Sequence, residues 1–285
     1  MNKVFSTVVL TVLLFANCSP NEAYTPDTEL GLPQKEKPKR LSKMWSNNPH
    51  NPFFETFDYD SIGRVIHFTA QIRYSTTSDT IEFFYRYEPE NNRIIATGEY
   101  YRYEDLDIVP QLSHITIVDT LYLNPQMNIE YAVRNDCVNG TRKRRWTYYF
   151  EYNDNGQLIT SVLGRFSPET TCQWENGNIT RMDGTIYTYT HLTNNLPSSI
   201  LPGVNSDWSP LSQYGWFGKH PQNLPYKMES EGNPDTKFVY NYRMENGLIS
   251  FSTCTHSNHG HFVEEDTTYY EWKKGCQHRP APHDL

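Results

Sequence analysis

Aromatic and aliphatic side chains alternate with polar ones along several segments of this chain. In one segment Trp146, Phe150 and Tyr152 share one face of an extended chain, and Thr147 and Glu151 share the other. Successive side chains of a strand point to opposite faces, so this period predicts strands with one buried face. No stretch has a convincing helical period. We therefore predict an all-β fold, an antiparallel meander of about a dozen strands that forms a large curved sheet or barrel.

A short pattern recurs four times along the predicted meander. Each copy has aromatic residues two positions apart, a polar turn that ends in glycine, and then aliphatic residues. The four glycines are Gly63, Gly156, Gly177 and Gly247. Glycine adopts the positive φ that tight hairpin turns require, and a preceding asparagine strengthens the signal. The pattern predicts four β-hairpins.

One long segment, residues 191–232, breaks the alternation with repeated prolines and is predicted to be an irregular excursion. A single helical turn is predicted around Pro210 and Leu211. Aromatic rings can stack on sugars and other flat ligands. The candidate ligand-binding residues are the aromatic side chains of this segment: Trp208, Tyr214, Trp216, Phe217 and Tyr226. We favour the alternative that the segment is a plug whose rings pack onto the sheet.

The N-terminus combines a basic start, a short apolar run and a small-residue exit that ends at Cys18. Because the run is too short to span a bilayer, residues 1–17 are predicted to be a secretory signal peptide. The cysteine at the exit predicts lipid attachment at Cys18, with ordinary cleavage as the alternative. Residues 18–50 are then a flexible tether, residues 51–276 a single all-β domain, and residues 277–285 a disordered tail.

The chain is acidic, with 33 Asp and Glu against 25 Lys and Arg and a formal net charge of −8 over 285 residues. This balance argues against nucleic acid and against electrostatic docking on anionic lipid. The predicted partners are therefore the membrane, contacted through an N-terminal lipid, and a glycan or an envelope protein. The predicted location is the outer membrane, facing either the periplasm or the cell surface.

Four cysteines follow the lipidation site: Cys137, Cys172, Cys254 and Cys276. An even number in an oxidising compartment allows two disulfides. The favoured pairing is Cys137 with Cys172 and Cys254 with Cys276, because each pair is close in sequence. Four free thiols are an equal alternative.

His256, His259 and His261 form the nearest approach to a metal-binding cluster. Imidazoles can bind zinc if a further ligand arrives, but we favour a polar hairpin loop here. Sequence motifs of serine hydrolases, zinc proteases and nucleotide-binding proteins do not occur in the chain. The sequence therefore predicts a protein that is not an enzyme and has no cofactor and no metal.

Several segments carry a resemblance to a known family. They are the hairpin at residues 59–64, the hairpin at residues 152–158, and residues 214–219 leading into 223–225. With these segments in order, the chain from about residue 53 to residue 272 resembles a domain family of unknown function, described as porin-like in fold, found in lipoproteins of Bacteroidota. The hairpins also resemble the tyrosine-aspartate repeats of secreted bacterial shell proteins. The resemblance implies a porin-like fold and an envelope location, and it implies no activity or catalytic residues.

A porin-like fold need not span a membrane. The mean hydropathy is −0.71, whereas a spanning barrel shows a lipid-facing apolar band on most strands. We favour a soluble sheet or barrel whose aromatic face points inward. The predicted function is that of an exported, lipid-anchored envelope protein that binds a glycan, a small ligand or a protein partner without catalysis. The alternatives are a structural protein that acts only through protein contacts, and a hydrolase with carboxylate or histidine residues on one sheet face.

Overall fold

The computed structural model describes residues 39–46, 48, 52–74, 77–104, 111–164, 167–196, 201, 204, 207–212 and 215–274. Its sixteen strands are β1 (Lys39–Ser46), β2 (Phe53–Tyr59), β3 (Val65–Tyr74), β4 (Thr77–Glu88), β5 (Arg93–Glu104), β6 (Gln111–Leu123), β7 (Ile129–Val138), β8 (Thr141–Tyr152), β9 (Leu158–Leu163), β10 (Glu169–Glu175), β11 (Asn178–Met182), β12 (Thr185–Thr193), β13 (Asn223–Ser230), β14 (Lys237–Glu245), β15 (Leu248–Asn258) and β16 (His261–Lys274). A 3₁₀ turn spans Pro89–Asn91, and α1 spans Ser209–Ser212.

The strands form a closed antiparallel barrel. Each strand pairs with its sequence neighbours, and β1 pairs with β16 to close the ring, with Leu41 opposite Trp272 and Met44 opposite Tyr270. Closure leaves the sheet without an exposed edge strand. The all-β antiparallel meander is confirmed, and the barrel alternative is the correct one. The sixteen strands exceed the predicted number of about a dozen.

The first strand lies inside the segment that was predicted to be a tether, residues 18–50. Lys39–Ser46 is part of the barrel wall, so the barrel begins earlier than residue 51. A register shift between Leu41 and Lys43 interrupts the period of two in this strand. A bulge of this kind conceals a strand from pattern analysis, because the apolar positions no longer fall on alternate residues.

The inner wall of the barrel is mainly apolar, whereas the outer wall mixes charged side chains with exposed apolar ones such as Phe84 and Tyr149. On β4, Ile81, Phe83 and Tyr85 are buried, whereas the intervening Glu82 and Arg86 are exposed. The inward-facing aromatic wall that we predicted is therefore present. A barrel of sixteen strands encloses more space than wall side chains alone can fill, so its lumen can hold water, a ligand or a further part of the chain.

Ion pairs run over the outer wall. Lys273 Nζ lies 3.0 Å from Asp58 Oδ1, and Lys227 Nζ lies 2.8 Å from Glu229 Oε2. His114 of β6 and Glu99 of β5 are also within hydrogen-bonding distance, with 3.2 Å between Nε2 and Oε2. Partly exposed pairs of this kind contribute little stability, but they mark a surface that water solvates well.

The four predicted hairpins are all present, and they join β2 to β3, β8 to β9, β10 to β11 and β14 to β15. In the last of these, Asn246 has φ +52° and Gly247 has φ +76°. Two successive positive φ angles are those of a type I′ turn, whose twist matches that of the flanking strands. The predicted helical turn around Pro210 and Leu211 is α1. Among the described residues, no helix is long and apolar enough to cross a membrane.

Candidate functional site

The described part of the connection between β12 and β13 (194–196, 201, 204, 207–212 and 215–222), hereafter the excursion, contributes buried side chains to the core inside the barrel. Trp208, Leu211 and Phe217 are completely buried. The Trp208 ring meets Tyr148 of β8 edge-on, with centroids 4.8 Å apart, and the Phe217 ring meets Phe150 of the same strand at 5.2 Å. The excursion therefore packs against the wall as a plug.

A buried polar cluster, hereafter the latch, holds the excursion to the wall. It consists of Asp119 on β6, Arg134 on β7, and Asp207 and Trp208 of the excursion. Arg134 donates to both Asp119 oxygens, at 2.9 and 2.6 Å, and also to Asp207. Trp208 Nε1 donates to Asp119 Oδ2 at 2.6 Å, and the Arg134 guanidinium lies 5.0 Å from the Trp208 ring centre. Tyr85 Oη donates a hydrogen bond to the backbone carbonyl oxygen of Asp207.

The charges of the latch stabilise one another. Burial opposes the charge on Arg134, but the carboxylates of Asp207 and Asp119 outweigh it and hold the pKa of Arg134 above its ordinary value. Burial raises the pKa of Asp207, and the Arg134 guanidinium limits that rise. A buried charge left without its partner costs several kcal/mol, so the latch is stable only as a complete set.

The structure places the predicted ligand-binding aromatics in three different environments. Trp208, Trp216 and Phe217 are buried inside the plug, with at most 3% of their surface exposed. Burial keeps a ligand from these rings, so their assignment to a ligand surface is corrected, and the packed-plug interpretation describes them. Tyr226 lies on β13 with 48% of its surface exposed. Tyr214 lies outside the described residues.

A cavity of about 260 Å³, hereafter the tyrosine chamber, lies beside the excursion. It lies between the excursion and the wall made by β11 to β16. The lining residues are Met182, Tyr187, Asn194, Leu196, Leu224, Pro225, Met228, Tyr240, Tyr242, Ser252, Cys254, Thr268 and Tyr270. None of these carries a formal charge at neutral pH, and four are tyrosines. The chamber therefore presents rings, thioethers and neutral hydroxyl groups.

Hydrogen bonds fix the tyrosines of the chamber wall. Tyr242 Oη donates to the Pro225 carbonyl oxygen at 2.8 Å, and Tyr240 Oη donates to Met228 Sδ at 3.3 Å. Tyr270 Oη and Ser252 Oγ are 3.0 Å apart. Burial raises the pKa of Tyr240 and Tyr242, and it raises the pKa of Tyr270 to about 12. All three side chains are uncharged at neutral pH and offer hydroxyl groups that donate or accept.

Cys137, Cys172 and Cys254 are free thiols in the structure. The predicted Cys137–Cys172 disulfide is not formed. Cys137 lies on β7 and Cys172 on β10, at least three strand spacings or about 14 Å apart, which is beyond the reach of a disulfide. Cys276 lies outside the described residues, as does Cys18. Cys254 lines the chamber, and burial raises the pKa of its thiol, an effect that a hydrogen bond with Tyr240 partly offsets.

The three histidines do not come together. His256 stacks on Phe238, with ring centroids 4.4 Å apart, and its Nδ1 lies 3.9 Å from Glu264 Oε1. His259 Nδ1 lies 3.2 Å from Asn233 Nδ2, and His261 begins β16. In the described parts of the chain, no group of three or more His, Cys, Asp or Glu side chains is arranged to hold a metal ion.

Sequence reasoning missed Glu55, a carboxyl group on the apolar face of β2. Its Oε2 atom is buried and has no hydrogen-bond partner among the described residues. Burial raises its pKa to about 8. The sequence contained a sign of this carboxyl group, because Glu55 alternates with Phe53 and Phe57 on the face of β2 that points inward. An acidic residue at an inward position of an alternating strand requires either neutralisation or a partner.

A second, open groove of about 880 Å³ lies at the end of the barrel that the excursion closes. Its polar side chains include Asn124, Asn128, Asn153 and Asn155. Asn124 Oδ1 already accepts two backbone N–H groups of its own turn, and Asn153 Oδ1 does the same. The two amides shape their turns, so this groove offers a ligand less than its composition indicates.

No protein-family model and no curated protein matches the sequence. Among solved structures, the chain is similar to a porin-like protein from Bacteroides uniformis, with a TM-score of 0.56 and 18% identity, covering 82% of this chain and 98% of the other. A porin-like protein from Bacteroides vulgatus gives a TM-score of 0.33 and 11% identity, covering 82% of this chain and 86% of the other. The first similarity concerns the fold alone, and with it the predicted porin-like fold is confirmed.

Proposed function

We propose that this chain is an exported envelope protein that binds a small, largely apolar ligand in the tyrosine chamber without transforming it. The observation that carries this proposal is the chamber itself, a cavity of about 260 Å³ walled by four tyrosines and left unfilled by the excursion. Pockets for small ligands are mostly apolar and contain a few well-placed polar groups. The tyrosine chamber has both properties. Because the chamber wall is uncharged, the part of the ligand that contacts it is expected to be a flat, uncharged ring system and not a polar sugar.

The envelope setting rests on the similarity to a Bacteroides porin-like protein and on the N-terminal sequence. The ion pairs of the outer wall support a barrel that does not span the membrane, because Lys or Arg facing lipid at mid-membrane costs about 2–4 kcal/mol. Attachment is then through a lipid on Cys18. Labelled palmitate should be incorporated by the natural chain and lost in Cys18→Ser, and incorporation that persists in this variant contradicts lipidation at Cys18.

The ligand enters from the end of the barrel opposite the excursion. At the closed end, Lys219 N donates to the Gly156 carbonyl oxygen at 2.8 Å, and Gln222 N donates to the Gly177 carbonyl oxygen at 3.0 Å. Met182, at the other end of the wall, is followed directly by the β11–β12 turn and lines the chamber. The excursion therefore serves as the floor of the site.

A pair of matched variants tests ligand binding. Ser252 lines the chamber, and Thr253 is its neighbour on β15, which points to the other face of the wall. Ser252→Leu adds bulk inside the chamber, and Thr253→Leu adds similar bulk outside it. With 4-phenylbutan-1-ol as the probe, titration calorimetry should show at least tenfold weaker binding by Ser252→Leu and unchanged binding by Thr253→Leu. Equal binding by both variants contradicts the proposed site.

A further inference from the structure

Glu55 and the tyrosine chamber share a neighbour on the inner wall. Met44 pairs with Glu55 of β2 on one side and with Tyr270 of β16 on the other. Two strand spacings, about 10 Å, therefore separate the backbones of Glu55 and Tyr270. Tyr270 lines the chamber, and the Glu55 carboxyl contributes to the raised pKa of Tyr270. The carboxyl thus lies within electrostatic range of the chamber wall.

Among the described residues, burial is the cause that raises the pKa of Glu55, and no cation offsets its charge. The residues opposite it on β1 and β3 are Met44 and Ala70, which cannot donate a hydrogen bond from their side chains. Its Oε2 atom has no partner among the described residues, although the side chain is not sealed from solvent. Buried carboxyl groups are ordinarily hydrogen-bonded or paired, so an unpartnered one requires an explanation, and a bound cationic group would satisfy it.

We propose that Glu55 is the counter-ion of the tyrosine chamber, so that the ligand is an amphipathic cation with an aromatic body between the tyrosines and a basic nitrogen at Glu55. This inference rests on the proposed function and names the ligand class. Aromatic rings with a carboxylate are the combination that recognises organic ammonium groups, because ring faces and anions both attract positive charge. No cation lies among the chamber-lining residues to compete for the carboxylate.

Binding moves a proton at neutral pH. With its pKa near 8, the free Glu55 carboxyl is protonated at pH 7. An ammonium group placed beside it favours the carboxylate, so Glu55 releases its proton to solvent as the amine binds. Of the described residues, Tyr85 of β4 and Tyr270 of β16 are titratable groups in electrostatic contact with Glu55, and their raised pKa values keep both neutral across this range.

Three probes of one length test the proposal on the full chain: 4-phenylbutan-1-amine, 4-phenylbutan-1-ol and 4-phenylbutanoate. At pH 8.5 the amine should bind at least tenfold more tightly than the alcohol, and the carboxylate at least tenfold more weakly. At pH 7, calorimetry in two buffers of different ionisation enthalpy should detect nearly one proton released per amine bound and none for the alcohol. An amine that binds no better than the alcohol overturns the proposal.

Glu55→Gln removes the charge and keeps the shape. It should lower the affinity for the amine to that for the alcohol, abolish proton release, and leave binding of the alcohol within twofold. Glu82→Gln, on the outer face of β4, is the matched control and should change nothing. If the preference for the amine survives in Glu55→Gln, Glu55 is not the counter-ion, although the chamber still binds. If no probe binds, including the alcohol, the proposed function fails together with this inference.

Glu55→Asp is a second variant that keeps the test interpretable if Glu55→Gln does not fold. It keeps the carboxylate but draws it back by one methylene group. A folded Glu55→Asp protein should retain proton release, with affinity for the amine between those of the natural chain and Glu55→Gln. Loss of both properties in a folded Glu55→Asp protein counts against a direct ion pair.

Discussion

Trp208 Nε1 donates a hydrogen bond to Asp119 Oδ2 over 2.6 Å, and through it the excursion is tied to a carboxylate of the barrel wall. Asp119 has no exposed surface. The same carboxylate receives Arg134 from β7, so a tryptophan of the plug and an arginine of the wall share one buried anion. This arrangement ties the excursion to the wall at β6 and β7, and the tyrosine chamber lies between the excursion and β11 to β16.

The first prediction concerns the latch. Arg134→Met should lower the free energy of unfolding by about 3–5 kcal/mol, because it leaves Asp119 and Asp207 buried without their cation. Urea denaturation monitored by tryptophan fluorescence measures this change. Arg243→Met, which removes an exposed arginine paired with Glu245, should change stability by less than about 0.5 kcal/mol. A latch variant as stable as this control would show that the excursion is held by its apolar contacts alone.

The second prediction concerns Gly218, where the excursion meets the β8–β9 turn. Gly218 has φ +71°, and a Cβ there would overlap the Gly156 carbonyl oxygen and the Tyr152 ring. Gly247 has φ +76° with open space around it. Gly247→Ala should cost about 1 kcal/mol from backbone conformation. Gly218→Ala should cost at least twice as much, since the clash is added. Equal unfolding free energies for the two variants would contradict close packing at Gly218.

The third prediction is a pH dependence of stability that originates at Glu55. Its pKa rises from 4.5 to about 8 on folding, so the folded state holds more protons than the unfolded state between these values. The stability that Glu55 contributes is therefore present below pH 4.5, falls as the pH rises toward 8, and is absent above it. The difference in unfolding free energy between the natural chain and Glu55→Gln should shift in favour of the variant by about 2 kcal/mol or more between pH 5 and pH 8.5. A difference that does not change with pH would place the carboxyl in contact with water.

The fourth prediction concerns the thiols. Burial raises the pKa of Cys172 to about 11, and its Sγ donates to the Leu158 carbonyl oxygen at 3.0 Å. Because the thiolate is the reactive form, alkylation of Cys172 at pH 8 should be about a hundredfold slower in the folded protein than in urea. Peptide mapping by mass spectrometry measures the rate. Cys137 and Cys172 should also be labelled in the unfolded protein without prior reduction, and a requirement for reductant would restore the disulfide.

Local sequence was sufficient for much of the fold. The alternation around Trp146 and Phe150 gave strands with a buried face, and turns such as Asn246-Gly247 gave the hairpins, because side-chain period and backbone φ are properties of neighbouring residues. Prediction from local sequence failed at β1, where the register shift after Leu41 interrupts the two-residue alternation of side chains. The candidate site was harder to predict from the sequence. The aromatic residues of the excursion are important, but their role is to pack inside the barrel.

The sequence by itself determined that strands would follow one another with one apolar face, and where many of them would turn. Only the tertiary structure decided that β1 meets β16, because closure depends on the summed twist and stagger of all sixteen strands. It also decided that Asp119, Arg134 and Trp208, distant in sequence, would form one latch. Because the latch holds the excursion against β6 and β7, the excursion does not fill the tyrosine chamber beside Tyr240 and Tyr270. A cavity is a property of what long-range packing leaves unfilled, and no local pattern encodes it.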